Sequence, residues 1–400
     1  MTRPALPPAP YLVVGLKRSG LAAARMLAPH GEVIGVDSGQ AEVPGDFEAH
    51  VGSDGVDLLD RVATVVKSPG VPRQAPVVAA ALERGIEVTG ELELAWRLLD
   101  GHPFVAVTGT NGKTTTVELL GAIWRQAGLP VEVAGNVGRP LGDLVGTAEP
   151  GATVICEASS FQLEDASAFA PDCAVLLNVE PDHLDRHGTL EAYRAAKMRI
   201  FANDPPHTVM PADLDRDPFD LGSPRLRGDH NRQNARAAAL AADAMGVPRD
   251  AIVAALEAFA GVPNRLEEVA TVGGVLFVND SKATNPASAV KGLESFPGGV
   301  HAILGGSLKG GGFEALRGPV AERCAAAYLI GEAAPTLASD LQGTVELHEC
   351  ATLERAVARA AEAAEPGEVV LLSPACASFD AFADYEARGR RFRELVAELG

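Results

Sequence analysis

The sequence predicts an α/β protein of three domains built on mainly parallel sheets. Three observations carry this: apolar runs of strand length alternate with segments of helical period, a fresh strand, glycine turn and helix begins at residues 103–127, and 400 residues exceed what one core ordinarily serves. The divisions are placed at 1–98, 99–261 and 262–400.

In the first division YLVVG (11–15), EVIGVD (32–37) and ATVVKSPG (63–70) read as strands, and ELELAWRLL (91–99) as a closing helix. The second opens with the buried-strand run PFVAV (103–107), passes through TGTNGKTT into a helix reaching about residue 127, and adds strands TVICE (153–157) and AVLLNV (174–179). Helical patterns occupy LEAYRAAKMRIF (190–201) and NRQNARAAALAADAMG (231–246); the Pro- and Asp-rich stretch 203–229 between them reads as loop with one short strand. The third division carries strands VLFVND (275–280), HAILGG (301–306), AAYLIG (326–331) and EVVLLSP (368–374), and ends in the helix EARGRRFRELVAEL (386–399).

Charge and cysteine usage exclude several classes of function. A formal net charge of −19 argues against a nucleic-acid-binding surface, which needs clustered Lys and Arg. No apolar stretch approaches the ~18 residues of a membrane span, and the N-terminus lacks the apolar core of an export signal, so a cytoplasmic protein without membrane contact is expected. The five cysteines are scattered and never form a C-x-x-C pair, which fits a reducing compartment and no zinc site. Of the 34 basic residues only seven are lysines: Lys17, Lys67, Lys113, Lys197, Lys282, Lys291 and Lys309. A lysine among many arginines offers a compact point charge or a modifiable amine, which arginine cannot.

The segment TGTNGKTT, residues 108–115, is a strand-to-helix glycine turn of the kind that cradles phosphate on backbone N–H groups. Position 107, where the long Walker motif has glycine, is Val107, so the shorter G-x-x-G-K-T form is present. Gly109, Thr110, Asn111, Gly112 and Thr115 would surround the phosphates of ATP, Lys113 would reach the β- and γ-phosphates, and the Thr114 hydroxyl would face Mg²⁺. Glu157 ends a strand, where α/β sheets place ligands, and can serve as a metal ligand or a solvated carboxylate. His183 in NVEPDHLDRHG reads equally as a site residue or a loop histidine, and Lys197, from pattern alone, as a surface lysine. NDSKATNP (279–286), GGSLKGGGF (305–313) and SPACASFDAFADYEARG (373–389) each follow a strand end, so they are expected on one rim, where hydroxyls, Lys282 and Lys309 suit a small carboxylate ligand. VVGLKRSG with Asp37 resembles the start of a dinucleotide fold, but Lys17 replaces the middle glycine, which weakens a dehydrogenase reading.

These segments, in this order, resemble the Mur ligase family, and within it the branch that adds D-glutamate to UDP-N-acetylmuramoyl-L-alanine. The resemblance runs through TGTNGKTT, EASSFQLE, NVEPDHLDRHG, YRAAKMRIF, GDHNRQN and NDSKATN, and SPACASFDAFADYEARG separates this branch from relatives adding other residues. It implies a Rossmann-like N-terminal domain for the UDP-sugar, a central P-loop ATPase-like domain, and a Rossmann-like C-terminal domain for the amino acid, acting as a monomer. It implies Lys113 and Thr114 at the phosphates and first magnesium, Glu157 as ligand of that magnesium, and His183 with a carbamylated Lys197 at a second. Asn231, Arg265, Asp280 and Lys282 are placed around the nucleotide, and Thr284, Lys309, Ser378, Phe379 and Tyr385 around D-glutamate. Arg18, Ser19, Ser38, Gly70 and Asn136 are placed near the UDP-sugar. The chain departs from the pattern in three places: Ser38-Gly39 stands where some relatives have Thr-Arg beside the uridine, leaving Lys17 or Lys67 to compensate; the 203–229 stretch is short; and Tyr385 replaces a common phenylalanine. Domain closure around the ligands is expected. A folylpolyglutamate-synthetase-like ligase and a P-loop switch are the rivals.

Overall fold

Each apolar run singled out above forms a strand in the structure, a computed structural model that describes residues 3–45, 47–215, 219, 229–259, 261–308 and 312–400. Among these residues the strands make three sheets. The first consists of β1 (Tyr11–Val14), β2 (Val33–Asp37), β3 (Glu48–Val51), β4 (Thr64–Lys67) and β5 (Glu87–Gly90), in the order β3-β2-β1-β4-β5. All its pairs are parallel, Tyr11 facing Val33 on one side and Thr64 on the other. The strand order reverses between β1 and β4, and the carboxyl ends of strands part there to leave a crevice.

The second sheet, β6 (Phe104–Thr108), β7 (Val131–Gly135), β8 (Thr153–Glu157), β9 (Cys173–Leu176) and β10 (His207–Val209), is also parallel, in the order β10-β9-β6-β8-β7. The phosphate-loop strand β6 is therefore central, flanked by the strands that end at Glu157 and lead to Asn178. Residues 103–108 are apolar on both faces because a central parallel strand is covered on both. β10 is the short strand expected in 203–229; the rest of that stretch lies partly outside the described residues.

These two sheets belong to one compact unit and share a core through the helix Glu91–Leu98. Trp96 and Phe104 both pack edge-on against Phe169, at 5.8 and 6.4 Å between ring centroids. On the same helix the buried Glu93 carboxylate accepts from the N–H groups of Ser167, Ala168 and Phe169 and from Arg97, so its charge is compensated inside the core.

The third sheet forms a second unit: β11 (Glu267–Val272), β12 (Val275–Asn279), β13 (Val300–Gly305), β14 (Cys324–Ile330), β15 (Glu346–Ala351) and β16 (Val369–Leu372). Its order is β11-β12-β16-β13-β14-β15, with only the edge strand β11 antiparallel among the described pairs. Adjacent strands β12, β16 and β13 are those followed by the three polar segments, so parallel register delivers all three to one rim.

Candidate active site

β6 ends at Thr108 and the helix Lys113–Gln126 begins five residues later. Gly112, at the helix N-cap, has φ 88°, and a Cβ there would lie 2.2 Å from Asn234 Oδ1. Both the left-handed backbone and the close amide demand glycine. Gly112→Ala is therefore expected to weaken ATP binding by roughly 10–30-fold through loop distortion; titration with a non-hydrolysable ATP analogue checks this, and unchanged affinity would show that the loop tolerates a Cβ.

Two residues behind the loop fix its shape. Asn178 Oδ1 accepts from the N–H groups of Asn111 and Thr110 at 2.9 and 3.1 Å, and its amide returns a bond to Asn111 O at 3.1 Å. The Glu180 N–H donates to the Thr110 hydroxyl at 3.0 Å, while its carboxylate accepts from the Asn111 side chain at 2.8 Å. Lys113 folds over the loop, its Nζ donating to the carbonyls of Gly109 and Thr110 at 2.9 and 3.0 Å. Thr115 is buried beneath it.

At the end of β8, Glu157 is buried and its carboxylate accepts from the Thr114 hydroxyl at 2.7 Å. The other carboxylate oxygen accepts from the Asn136 amide at 3.0 Å. Sequence pattern alone left Glu157 open to being a solvated carboxylate; its burial beside the loop rules that out.

Lys197 corrects the surface reading. It is 1% exposed, and its Nζ donates to Gly109 O at 2.7 Å and lies 4.4 Å from the centre of the Tyr193 ring. The helix Leu190–Met198 buries Tyr193, Ala196 and Lys197 on one face, the i, i+3, i+4 stripe that turns toward the loop. Burial, reinforced by the charge of Lys113, brings the Lys197 pKa down to about 7. His183 sits at the N-cap of the short helix Leu184–His187 with φ 51°, its side chain about half exposed. Its ring lies 4.9 Å from Phe161 and 6.2 Å from Tyr193, so His183 and Lys197 flank the same tyrosine.

Beside the loop, at the β1–β4 reversal, opens a cleft of about 1030 Å³. Arg18, Ser19, Ser38, Gly70 and Asn136 all line it, as does Lys17. Asp37 ties its two walls, accepting from the N–H groups of Leu16 at 2.7 Å and Gly39 at 2.8 Å. Lys67 does not line the cleft: it is buried in an ion pair with Asp165 at 2.7 Å, so of these two lysines it is Lys17 that stands at the cleft.

Three family models match the chain: a MurD-like N-terminal Mur ligase domain over residues 9–90, the Mur ligase middle domain over 107–220 and the Mur ligase glutamate ligase domain over 264–376. The UDP-N-acetylmuramoylalanine--D-glutamate ligase of Anaeromyxobacter dehalogenans is 42% identical, the alignment covering 100% of this chain and 99% of that one. The chain belongs to the Mur ligase family.

The enzyme of the same name from Acidobacterium capsulatum is 40% identical over 96% of this Mur ligase and 95% of its own length. Two solved structures from Thermotoga maritima share the fold: the UDP-N-acetylmuramate-alanine ligase MurC (TM-score 0.58, 18% identity, 97% of this chain and 99% of that one) and MurF ligase in complex with ADP (TM-score 0.58, 18% identity, 97% and 95%).

In the second unit of this Mur ligase, Arg388 organises the rim. Buried at 1% exposure, its guanidinium donates to the hydroxyl and carbonyl of Ser281 at 3.0 and 2.8 Å and to the carbonyls of Cys376 and Ala377 at 3.0 and 3.2 Å. It thereby pins NDSKATNP to SPACASF, a function invisible in the sequence because a buried arginine has the same letter as a solvated one. Asp280 is buried, accepts from the Ser373 hydroxyl at 2.8 Å, and is pushed by burial to a pKa of about 7. Lys282 Nζ lies 5.3 Å from the centre of the Tyr385 ring, whose hydroxyl donates to Glu386 at 3.1 Å. Ser378 is buried with no hydrogen-bond partner for its hydroxyl, whereas Phe379 is 69% exposed. The Thr284 N–H donates to Lys282 O at 2.8 Å, shaping the same loop, and Arg265 precedes β11. Asn231 is buried on the first turn of the helix Asp229–Ala244. Lys309 lies outside the described residues.

Proposed function

We propose that this Mur ligase joins D-glutamate to UDP-N-acetylmuramoyl-L-alanine in the cytoplasm, as a monomer, with ATP cleaved to ADP and phosphate. The observation that carries the reading is Asn136: it lines the nucleotide-sugar cleft and its amide holds the carboxylate that holds Thr114 of the phosphate loop. A substrate seated in the cleft with its terminal carboxylate toward Asn136 presents that carboxylate to the γ-phosphate of ATP. Attack of the carboxylate oxygen on phosphorus forms the acyl phosphate and expels ADP, with Lys113 countering charge on the transferring group. The amine of D-glutamate then adds to the acyl carbon, loses a proton, and phosphate leaves.

Thr114 and Glu157 present oxygens to a common point at the helix N-terminus, a donor set suited to a hard cation whose remaining ligands come from phosphate and water. A second site at His183 would take its further ligand from Lys197 once that lysine carries a carboxylate. Magnesium bound at these residues would bridge the repelling carboxylate and triphosphate. Division of labour follows the three segments 1–98, 99–261 and 262–400, for UDP-sugar, ATP and amino acid. Asn231, Arg265, Asp280 and Lys282 serve the nucleotide; Thr284, Ser378, Phe379 and Tyr385, together with Lys309 from outside the described residues, serve D-glutamate.

Incubation with ATP, Mg²⁺, UDP-N-acetylmuramoyl-L-alanine and each candidate amino acid tests this directly. Phosphate release is expected only with D-glutamate; release indifferent to the amino acid would sink the assignment.

A further inference from the structure

Three residues after His183, Arg186 reaches out of its own segment into the loop that rims the cleft. Its guanidinium donates to the carbonyl of Val71 at 2.6 Å and to those of Pro69 and Gly70 at 3.4 and 3.5 Å. The same group pairs with Glu164 at 3.2 Å and lies 4.9 Å from the centre of the Phe161 ring. Phe161 in turn stacks on His187 at 5.2 Å and meets His183 edge-on at 4.9 Å. Lys67 reinforces the arrangement from below, donating to Val71 O at 3.0 Å while paired with Asp165. Two cations thus hold the carbonyls of this loop, whose residues Ser68, Pro69, Gly70 and Val71 line the cleft.

We propose that Arg186 is a positioning residue that holds the cleft loop at residues 69–71 in the shape that receives the nucleotide-sugar. In a trans peptide the N–H points opposite to the C=O. Capture of the Pro69 carbonyl by Arg186 therefore turns the Gly70 N–H outward, where it donates to an anionic oxygen of the nucleotide-sugar. The guanidinium fork is required because one group must hold several carbonyls and the Glu164 carboxylate together. This rests on the ligase reading above for the identity of the cleft's substrate, but not for the role of Arg186.

The test is calorimetric titration of wild type, Arg186→Ala and Arg186→Lys with UDP and, separately, with a non-hydrolysable ATP analogue. Arg186→Ala is expected to weaken UDP binding by roughly tenfold or more, the scale of a lost charge-assisted network, while the ATP analogue stays within about twofold. In steady-state kinetics the KM for UDP-N-acetylmuramoyl-L-alanine rises and the KM for ATP does not. Should the alanine variant fail to fold, Arg186→Lys carries the test, with a smaller loss in the same direction. Equal loss for both nucleotides, or UDP binding unchanged, would overturn the proposal. A wild type that binds UDP but releases no phosphate on D-glutamate would overturn the ligase reading alone, and the titrations would still decide the role of Arg186.

Discussion

Replacing Lys113 by alanine is expected to lower kcat for D-glutamate-dependent phosphate release by about 10³-fold or more, since a charge aimed at the transferring phosphoryl group acts mainly in the transition state. The geometry explains why the residue is lysine. Its Nζ already lies within hydrogen-bond distance of the Gly109 and Thr110 carbonyls, at the centre of the turn where phosphate oxygens would sit. A point charge on a flexible stem can leave those carbonyls for a phosphate; a guanidinium is larger and planar, and presents a rigid fork in place of a point charge. Lys113→Arg is thus expected to resemble the alanine variant rather than the wild type. Steady-state kinetics with a parallel titration of an ATP analogue separates the effects. A kcat within tenfold of wild type in Lys113→Ala would remove this lysine from the chemistry.

What the sequence made legible follows the physics of burial. Every strand read from its apolar run is found, and each strand overlooked lies at the edge of a sheet: β3, β5, β7, β11 and β15. Edge strands face solvent along one side, so EAHV at β3 and ELHECA at β15 alternate or mix polar residues and never form a continuous run. The site divides in a similar way. Residues proposed to touch a ligand are legible because the chemistry demands a residue type, as with Lys113 and Glu157. Residues that hold those groups are not, although Asn178, Glu180 and Arg186 all fall within the quoted segment NVEPDHLDRHG. In that segment it is Asn178 and Glu180, rather than the histidine, that make the bonds shaping the loop. Lys197 was legible only through the family resemblance, because a helical stripe of Tyr193, Ala196 and Lys197 does not announce which face is buried.

That lysine yields the second large effect. Lys197→Ala is expected to lose about 10³-fold in activity, comparable to removal of a preorganised charge from an active site, and to regain part of it in short-chain carboxylates. The argument begins with the amine. Carbamylation needs the neutral form as nucleophile toward CO₂. An ordinary lysine, titrating near 10.4, is almost wholly protonated at neutral pH. Burial and Lys113 bring the Lys197 pKa down to about 7 in the folded chain. The sign follows directly: below that value the folded protein holds an ammonium, and as pH rises through it the neutral fraction grows, from about a tenth one unit below to about nine-tenths one unit above. In protein stripped of CO₂, recovery of activity under a fixed pressure of CO₂ should therefore be faster at pH 8 than at pH 6, while Lys197→Ala shows no CO₂ response at either. Once formed, the carbamate replaces a buried cation beside Lys113 with an anion, turning a repulsive pair of charges into an attractive one. Mass spectrometry under non-denaturing conditions should detect one added CO₂ in the wild type and none in the variant. Full activity of Lys197→Ala without any added carboxylate would dismiss the modification and leave Lys197 as a buried donor to Gly109.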